Sequence, residues 1–63
     1  MPEFTARAVL DGKEMFCRRF KALDRIRALD LAEDHAFFLL WDKSGLEGAS
    51  RLIDSVKVSV SKA

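Results

Sequence analysis

Residues 36–41, with the sequence Ala-Phe-Phe-Leu-Leu-Trp, form an uninterrupted apolar run in a chain of only 63 residues. A domain of this size buries only about 60% of the surface that its unfolded chain exposes, so it has few places that hide such a run completely. As a β-strand, the run would turn Phe37, Leu39 and Trp41 to one side of a sheet and the alternate residues to the other. One helix can cover only one of these sets, which predicts that a partner or a second copy of the chain covers the other.

The local sequence of this run is compatible with two kinds of secondary structure. Its short length and its aromatic content favour a strand. The spacing of Ala32, Ala36 and Leu40, however, would continue a preceding helix along one face. A strand is the preferred interpretation, and a helix from Arg25 to Trp41 on a three-stranded sheet is the alternative.

The N-terminal third of the chain predicts a β-hairpin. Apolar and polar residues alternate through residues 3–10, and a second strand-like run follows at residues 15–22. Asp11 and Gly12 lie between the two runs, a sequence typical of tight hairpin turns because glycine tolerates positive φ.

The register of this hairpin is predicted from the burial of its aromatic residues. Pairing Phe4 with Phe20 and Ala8 with Phe16 places the apolar side chains together. A two-residue turn alone would instead pair Phe4 with Arg19, and a shift of one residue changes the face that each side chain occupies. We therefore expect a longer loop or a β-bulge close to the turn.

The rest of the chain predicts one helix and further strands. Asp24 is a suitable N-cap for the helix, residues 46–53 form a weaker strand pattern that includes Gly48, and residues 54–63 alternate clearly. The combined prediction is a single α+β domain, residues 1–63. It has the order β-β-α-β-β, with one helix packed on one face of an antiparallel sheet of four to five strands.

Residues that commonly carry catalysis are sparse. The chain has one cysteine and one histidine, Cys17 and His35, too few for an internal disulfide or for a metal site of ordinary ligand number. Cys17 has no base close in sequence and is expected to be a small packing residue. His35 is expected near the C-terminal end of the helix. These features predict a non-catalytic protein with no cofactor and no metal.

Basic residues are concentrated in the hairpin. Residues 3–21 contain five basic and three acidic side chains, although the whole chain has a net charge of only +1. A basic surface of this kind can contact phosphate groups or speed association with an acidic protein. The residues predicted to contact a partner are four basic residues of the hairpin, together with Trp41 or Phe38 of the apolar run as an aromatic anchor: Arg7, Arg18, Arg19, Lys21, Phe38 and Trp41.

Targeting features are absent from the sequence. The N-terminal residues contain no apolar segment of the length found in signal peptides, and the apolar run is shorter than the roughly 20 residues of a membrane span. Together with the lone thiol, this predicts a cytoplasmic protein without a membrane segment.

The order of the predicted elements resembles that of several phage-encoded inhibitors, including anti-CRISPR proteins. A short hairpin is followed by a helix with the sequence ALDRIRALDLAED and then by two or three strands. The likeness covers the whole chain as an architecture, and it includes no functional motif. It implies a small protein-binding module, encoded by a phage or mobile element, that blocks a bacterial macromolecular machine such as a nucleoprotein complex. The alternative function is nucleic-acid binding by the basic hairpin, and a homodimer is a further expectation.

Overall fold

A computed structural model describes residues 1–63 and shows one helical layer packed on one antiparallel sheet. The sheet consists of three strands, β1 (Glu3–Leu10), β2 (Lys13–Lys21) and β3 (Lys57–Lys62), in the order β2-β1-β3. The helix α1 (Arg25–Leu52) and a short 3₁₀ helix (Ile53–Ser55) connect β2 to β3. The α+β class and the antiparallel sheet are confirmed. The prediction of four to five strands in the order β-β-α-β-β is wrong, because only one strand follows the helix.

The apolar run at residues 36–41 lies within α1. Ala28, Ala32 and Ala36 are fully buried against the sheet, and their four-residue spacing places them on one face of the helix. The preferred strand interpretation is therefore wrong, and the helical alternative is correct, although α1 continues beyond Trp41. A helix satisfies its own backbone hydrogen bonds while its small side chains approach the sheet closely, whereas a fourth strand would need a strand partner. The predicted strand at residues 46–53 is also helical.

The hairpin turn combines a tight loop with a bulge. Asp11 and Gly12 have φ values of 52° and 77°, the positive values that a two-residue turn between twisted strands requires. The register shifts between Ala8 and Val9, where Met15 is the additional residue of β2. The predicted irregularity is thus a bulge a few residues away from a two-residue turn.

The bulge allows the predicted aromatic register. Phe4 pairs with Phe20, and Ala8 pairs with Phe16, as expected. Because side chains alternate along a strand, these residues lie on the face of the sheet that α1 covers. Val60 of β3 joins them in the buried core.

Particular residues set the start of α1 and a kink within it. The Asp24 side chain accepts a hydrogen bond of 2.9 Å from the backbone N–H of Arg27, which confirms the predicted N-cap. Gly45, with φ 74° and ψ 177°, interrupts the helical backbone and divides α1 at a kink. The segment after the kink buries Ala49 and leads the chain back to β3.

Candidate protein-binding surface

The six residues predicted to contact a partner are distributed over different faces of the molecule. Arg7, Arg19 and Lys21 alternate with the buried residues of their strands, so they lie on the side of the sheet that faces away from α1. We call this side the open sheet face. Phe38 and Trp41 lie on α1, on the opposite side of the sheet. The structure therefore does not bring the basic and aromatic candidates together into one site.

An aromatic cluster is exposed on the outer side of α1. Phe38 is 66% exposed and Trp41 is 50% exposed. The Phe37 ring meets the Trp41 ring edge to face, with the ring centroids 6.1 Å apart. We call these three residues the aromatic patch. The prediction that one alternating set of residues 36–41 lies on the uncovered side of a sheet is wrong, because the run is helical and helical spacing directs the buried alanines to the sheet and the aromatic residues away from it.

Acidic side chains border the aromatic patch. Asp34 and Asp42 lie four residues before and after Phe38, and therefore one helical turn to either side of it. Phe38, Trp41 and Asp42 line a groove of about 250 Å³. Neither aspartate belongs to an ion pair; the ion pairs of the protein are Arg7–Glu14, Arg27–Asp24 and Arg51–Glu47. The aromatic patch thus has free carboxylates at its border. Sequence reasoning missed these acids, although the four-residue spacing around Phe38 would have identified them on a helix.

The open sheet face is polar and partly neutralised. The Arg7 guanidinium lies 2.8 Å from the Glu14 carboxylate, whereas Arg19 and Lys21 form no ion pair. Cys17, the strand partner of Arg7, is exposed on this face. The expectation that Cys17 packs in the core is therefore wrong, because strand alternation directs it away from α1.

Arg18 is separated from its basic neighbours by the same alternation. Its side chain lies on the α1 side at the edge of the sheet, with its guanidinium carbon 5.8 Å from the centroid of the Phe20 ring. Its Nη1 donates to Nε2 of His35 at 3.2 Å. His35 in turn meets the Phe16 ring edge to face, with the centroids 4.7 Å apart. His35 lies in the middle of α1, so the expected position at the helix end is wrong.

No three His, Cys, Asp or Glu side chains lie close enough together to hold a metal ion. None of the helices combines the length and the apolar composition that crossing a membrane requires.

The fold and its surfaces define a small two-layer α+β protein that presents an acid-bordered aromatic patch on its helix and a basic open sheet face. Comparisons with protein-family models, with curated proteins and with solved structures found no match to this chain.

Proposed function

We propose that the protein is a small, non-catalytic protein-binding module whose aromatic patch docks on a partner protein. The observation that carries this proposal is the exposure of Phe38 and Trp41 side by side on one helix. Monomeric proteins in water rarely leave large apolar side chains clustered at the surface unless the cluster is used. Tryptophan and other aromatic residues at the centre of an interface often supply most of its binding energy.

The way in which α1 is held supports this proposal. Ala28, Ala32 and Ala36 pack without exposed surface on the sheet, and the N–H at Nε of Arg25 donates to the backbone oxygen of Val60 at 3.1 Å. The helix is thus anchored to the sheet along the face opposite to the aromatic patch. A rigidly presented surface loses little conformational entropy when it binds, which favours affinity.

The proposal extends to the kind of partner. In keeping with the resemblance to phage-encoded inhibitors, we propose that the module covers a surface of a bacterial macromolecular machine and acts in the bacterial cytoplasm. The support for this part is the order of hairpin, helix and strand. That support is narrower than the full resemblance, because one strand follows the helix where two or three were expected.

Capture from a bacterial lysate tests the role of the aromatic patch. Tagged wild-type protein is compared with the double variant Phe38→Ala/Trp41→Ala and with a matched control, Arg19→Ala/Lys21→Ala, which changes the open sheet face. All lysates are treated with nuclease, and captured proteins are identified by mass spectrometry.

We expect the wild type and the control to retain the same partner and the aromatic double variant to lose it. Circular dichroism establishes that each variant is folded. A partner that the aromatic double variant retains, with its fold intact, would contradict the proposed role of the aromatic patch.

A second candidate function is nucleic-acid binding by the open sheet face. The observation that favours it is the unpaired state of Arg19 and Lys21, with Lys57 of β3 on the same face. Cationic side chains there can contact phosphates. The aromatic residues of the strands all face α1, so base stacking cannot add to those contacts. Protein binding by the aromatic patch is therefore the preferred proposal.

A further inference from the structure

We infer that the aromatic patch receives an arginine or lysine side chain from a basic, partly apolar segment of the partner protein. This inference rests on the proposed protein-binding function and specifies the chemistry of the partner. It follows from the composition of the groove beside the patch, from the charge around it, and from the unfavourable contacts that a second copy of the chain would make.

The groove combines the two groups that recognise an organic cation. Phe38 and Trp41 supply aromatic rings, and Asp42 supplies a carboxylate, around a volume of about 250 Å³. A cation is attracted to the face of an aromatic ring, most strongly to tryptophan. An arginine guanidinium can stack on such a ring and donate charged hydrogen bonds to a carboxylate in the same contact. A purely apolar side chain would leave Asp42 partly desolvated and unpaired.

The charge around the aromatic patch selects the same class of partner. Asp34 and Asp42 border the patch on both sides and form no ion pair within the protein. Complementary charges orient and speed association, and like charges placed opposite one another oppose it. A segment with basic residues around an apolar anchor complements this border, whereas an acidic segment is repelled.

A second copy of the chain fits this surface poorly. In a twofold dimer with antiparallel helices centred on Phe38, residues four before and four after that position face each other. Asp34 of one copy would then lie opposite Asp42 of the other, and neither carboxylate has an ion-pair partner within its own chain. The same acids that attract a basic segment therefore oppose self-association about this centre.

A pair of designed peptides tests the inference directly. Both peptides have the same length and the same leucine positions and lack tryptophan; one carries lysine and arginine at the remaining positions, and the other carries glutamate and aspartate. The protein contains a single tryptophan, so the emission of Trp41 reports on binding at the groove. We expect a saturable change with the basic peptide and none with the acidic peptide.

Two substitutions that each remove one negative charge distinguish local recognition from general attraction. Asp42→Asn should weaken the binding of the basic peptide about tenfold, because the carboxylate that accepts the charged hydrogen bond is lost. Glu3→Gln, at the end of β1 on the open sheet face, should leave the affinity unchanged. An equal response to the acidic peptide, or an Asp42→Asn affinity equal to that of the wild type, would overturn the inference.

Two further outcomes separate this inference from the proposed function. One outcome is that the Asp42→Asn variant retains the partner in lysate capture while Phe38→Ala/Trp41→Ala loses it. That result would show that no cationic side chain occupies the groove, and it would still support protein binding by the aromatic patch. If the folded aromatic double variant still captures the partner, the proposal that the aromatic patch docks on that partner is overturned, and the inference falls with it. A second copy occupies the patch if light scattering gives twice the 7.1 kDa mass for the wild type and the monomer mass for Phe38→Glu. That result would also overturn the inference.

Discussion

Arg18 Nη1 donates a hydrogen bond to His35 Nε2 over 3.2 Å, joining the edge strand β2 to the middle of α1. Because arginine has no acceptor, Nε2 of His35 is the acceptor of this hydrogen bond. The same imidazole packs edge-on against Phe16. The ring also meets Phe20 edge to face, with the centroids 6.0 Å apart. One exposed hydrogen bond and two aromatic contacts therefore link the helix to the edge of the sheet.

His35→Ala should lower the free energy of unfolding by about 1 kcal/mol, mainly through loss of the edge-to-face contact with Phe16. Arg18→Ala should cost less, because its hydrogen bond is exposed to water, and Arg19→Ala on the open sheet face should cost almost nothing. Urea denaturation followed by circular dichroism measures all three. A His35→Ala variant as stable as the wild type would show that this contact does not hold α1 to β2.

Gly45→Ala should lower the free energy of unfolding by about 1–3 kcal/mol, because the backbone at this kink has φ 74° and ψ 177°, a region essentially restricted to glycine. The neighbouring substitution Ser44→Ala leaves the kink unchanged and serves as the control in the same thermal melts. An undiminished stability in Gly45→Ala would mean that the chain returns to β3 without this backbone conformation.

Ala32→Leu should destabilise the fold by about 1–3 kcal/mol, because a larger side chain forces α1 away from the sheet. Ala32 is fully buried in the core between the two layers. Ser50→Leu introduces the same side chain at an exposed position of α1 and should be close to neutral. Chemical denaturation of both variants is the measurement, and equal midpoints would contradict the close packing of α1 on the sheet.

Phe38→Ala should change the free energy of unfolding by no more than about 0.5 kcal/mol, because most of this ring is already in contact with water. The aromatic double variant used for lysate capture should therefore remain folded. Thermal melts with light scattering on the same samples measure stability and mass together. A large loss of stability in Phe38→Ala would indicate that the ring is structural and would remove the main reason to regard it as a binding residue.

Arg19→Glu/Lys21→Glu should abolish whatever affinity the open sheet face has for single-stranded DNA. Two phosphate contacts predict binding about sevenfold weaker at 200 mM than at 50 mM salt. Fluorescence anisotropy with a labelled oligonucleotide measures this, and Arg18→Ala is the control because its guanidinium lies on the other side of the sheet. Affinity that is independent of salt and of both substitutions would exclude phosphate recognition by this face.

The hairpin illustrates what could be predicted from sequence. The turn at Asp11 and Gly12 follows from glycine's tolerance of positive φ, and the pairing of Phe4 with Phe20 follows from the burial of two rings on one face. The exact place of the bulge did not follow, because several positions of the extra residue give the same aromatic pairing.

The candidate site was predicted only in part. The sequence predicts Trp41 or Phe38 as an aromatic anchor, and the structure exposes both. Asp34 and Asp42 were not grouped with them, because that neighbourhood exists only when the segment is helical. Strand alternation places Arg18 on the α1 side of the sheet and Arg19 on the open sheet face, although the prediction groups both in one basic hairpin surface.

The sequence by itself determined the features that depend on near neighbours: the alternating strands, the turn and the helix cap at Asp24. The tertiary structure alone decided the conformation of residues 36–41, whose composition suits a strand and whose spacing suits a helix. The physical reason is that the row of small residues ending at Ala36 is stabilised only when a sheet is present to cover it. Once that row packs inward, Phe38 and Trp41 must face outward, so the exposure of the aromatic patch is a consequence of the alanines beneath it.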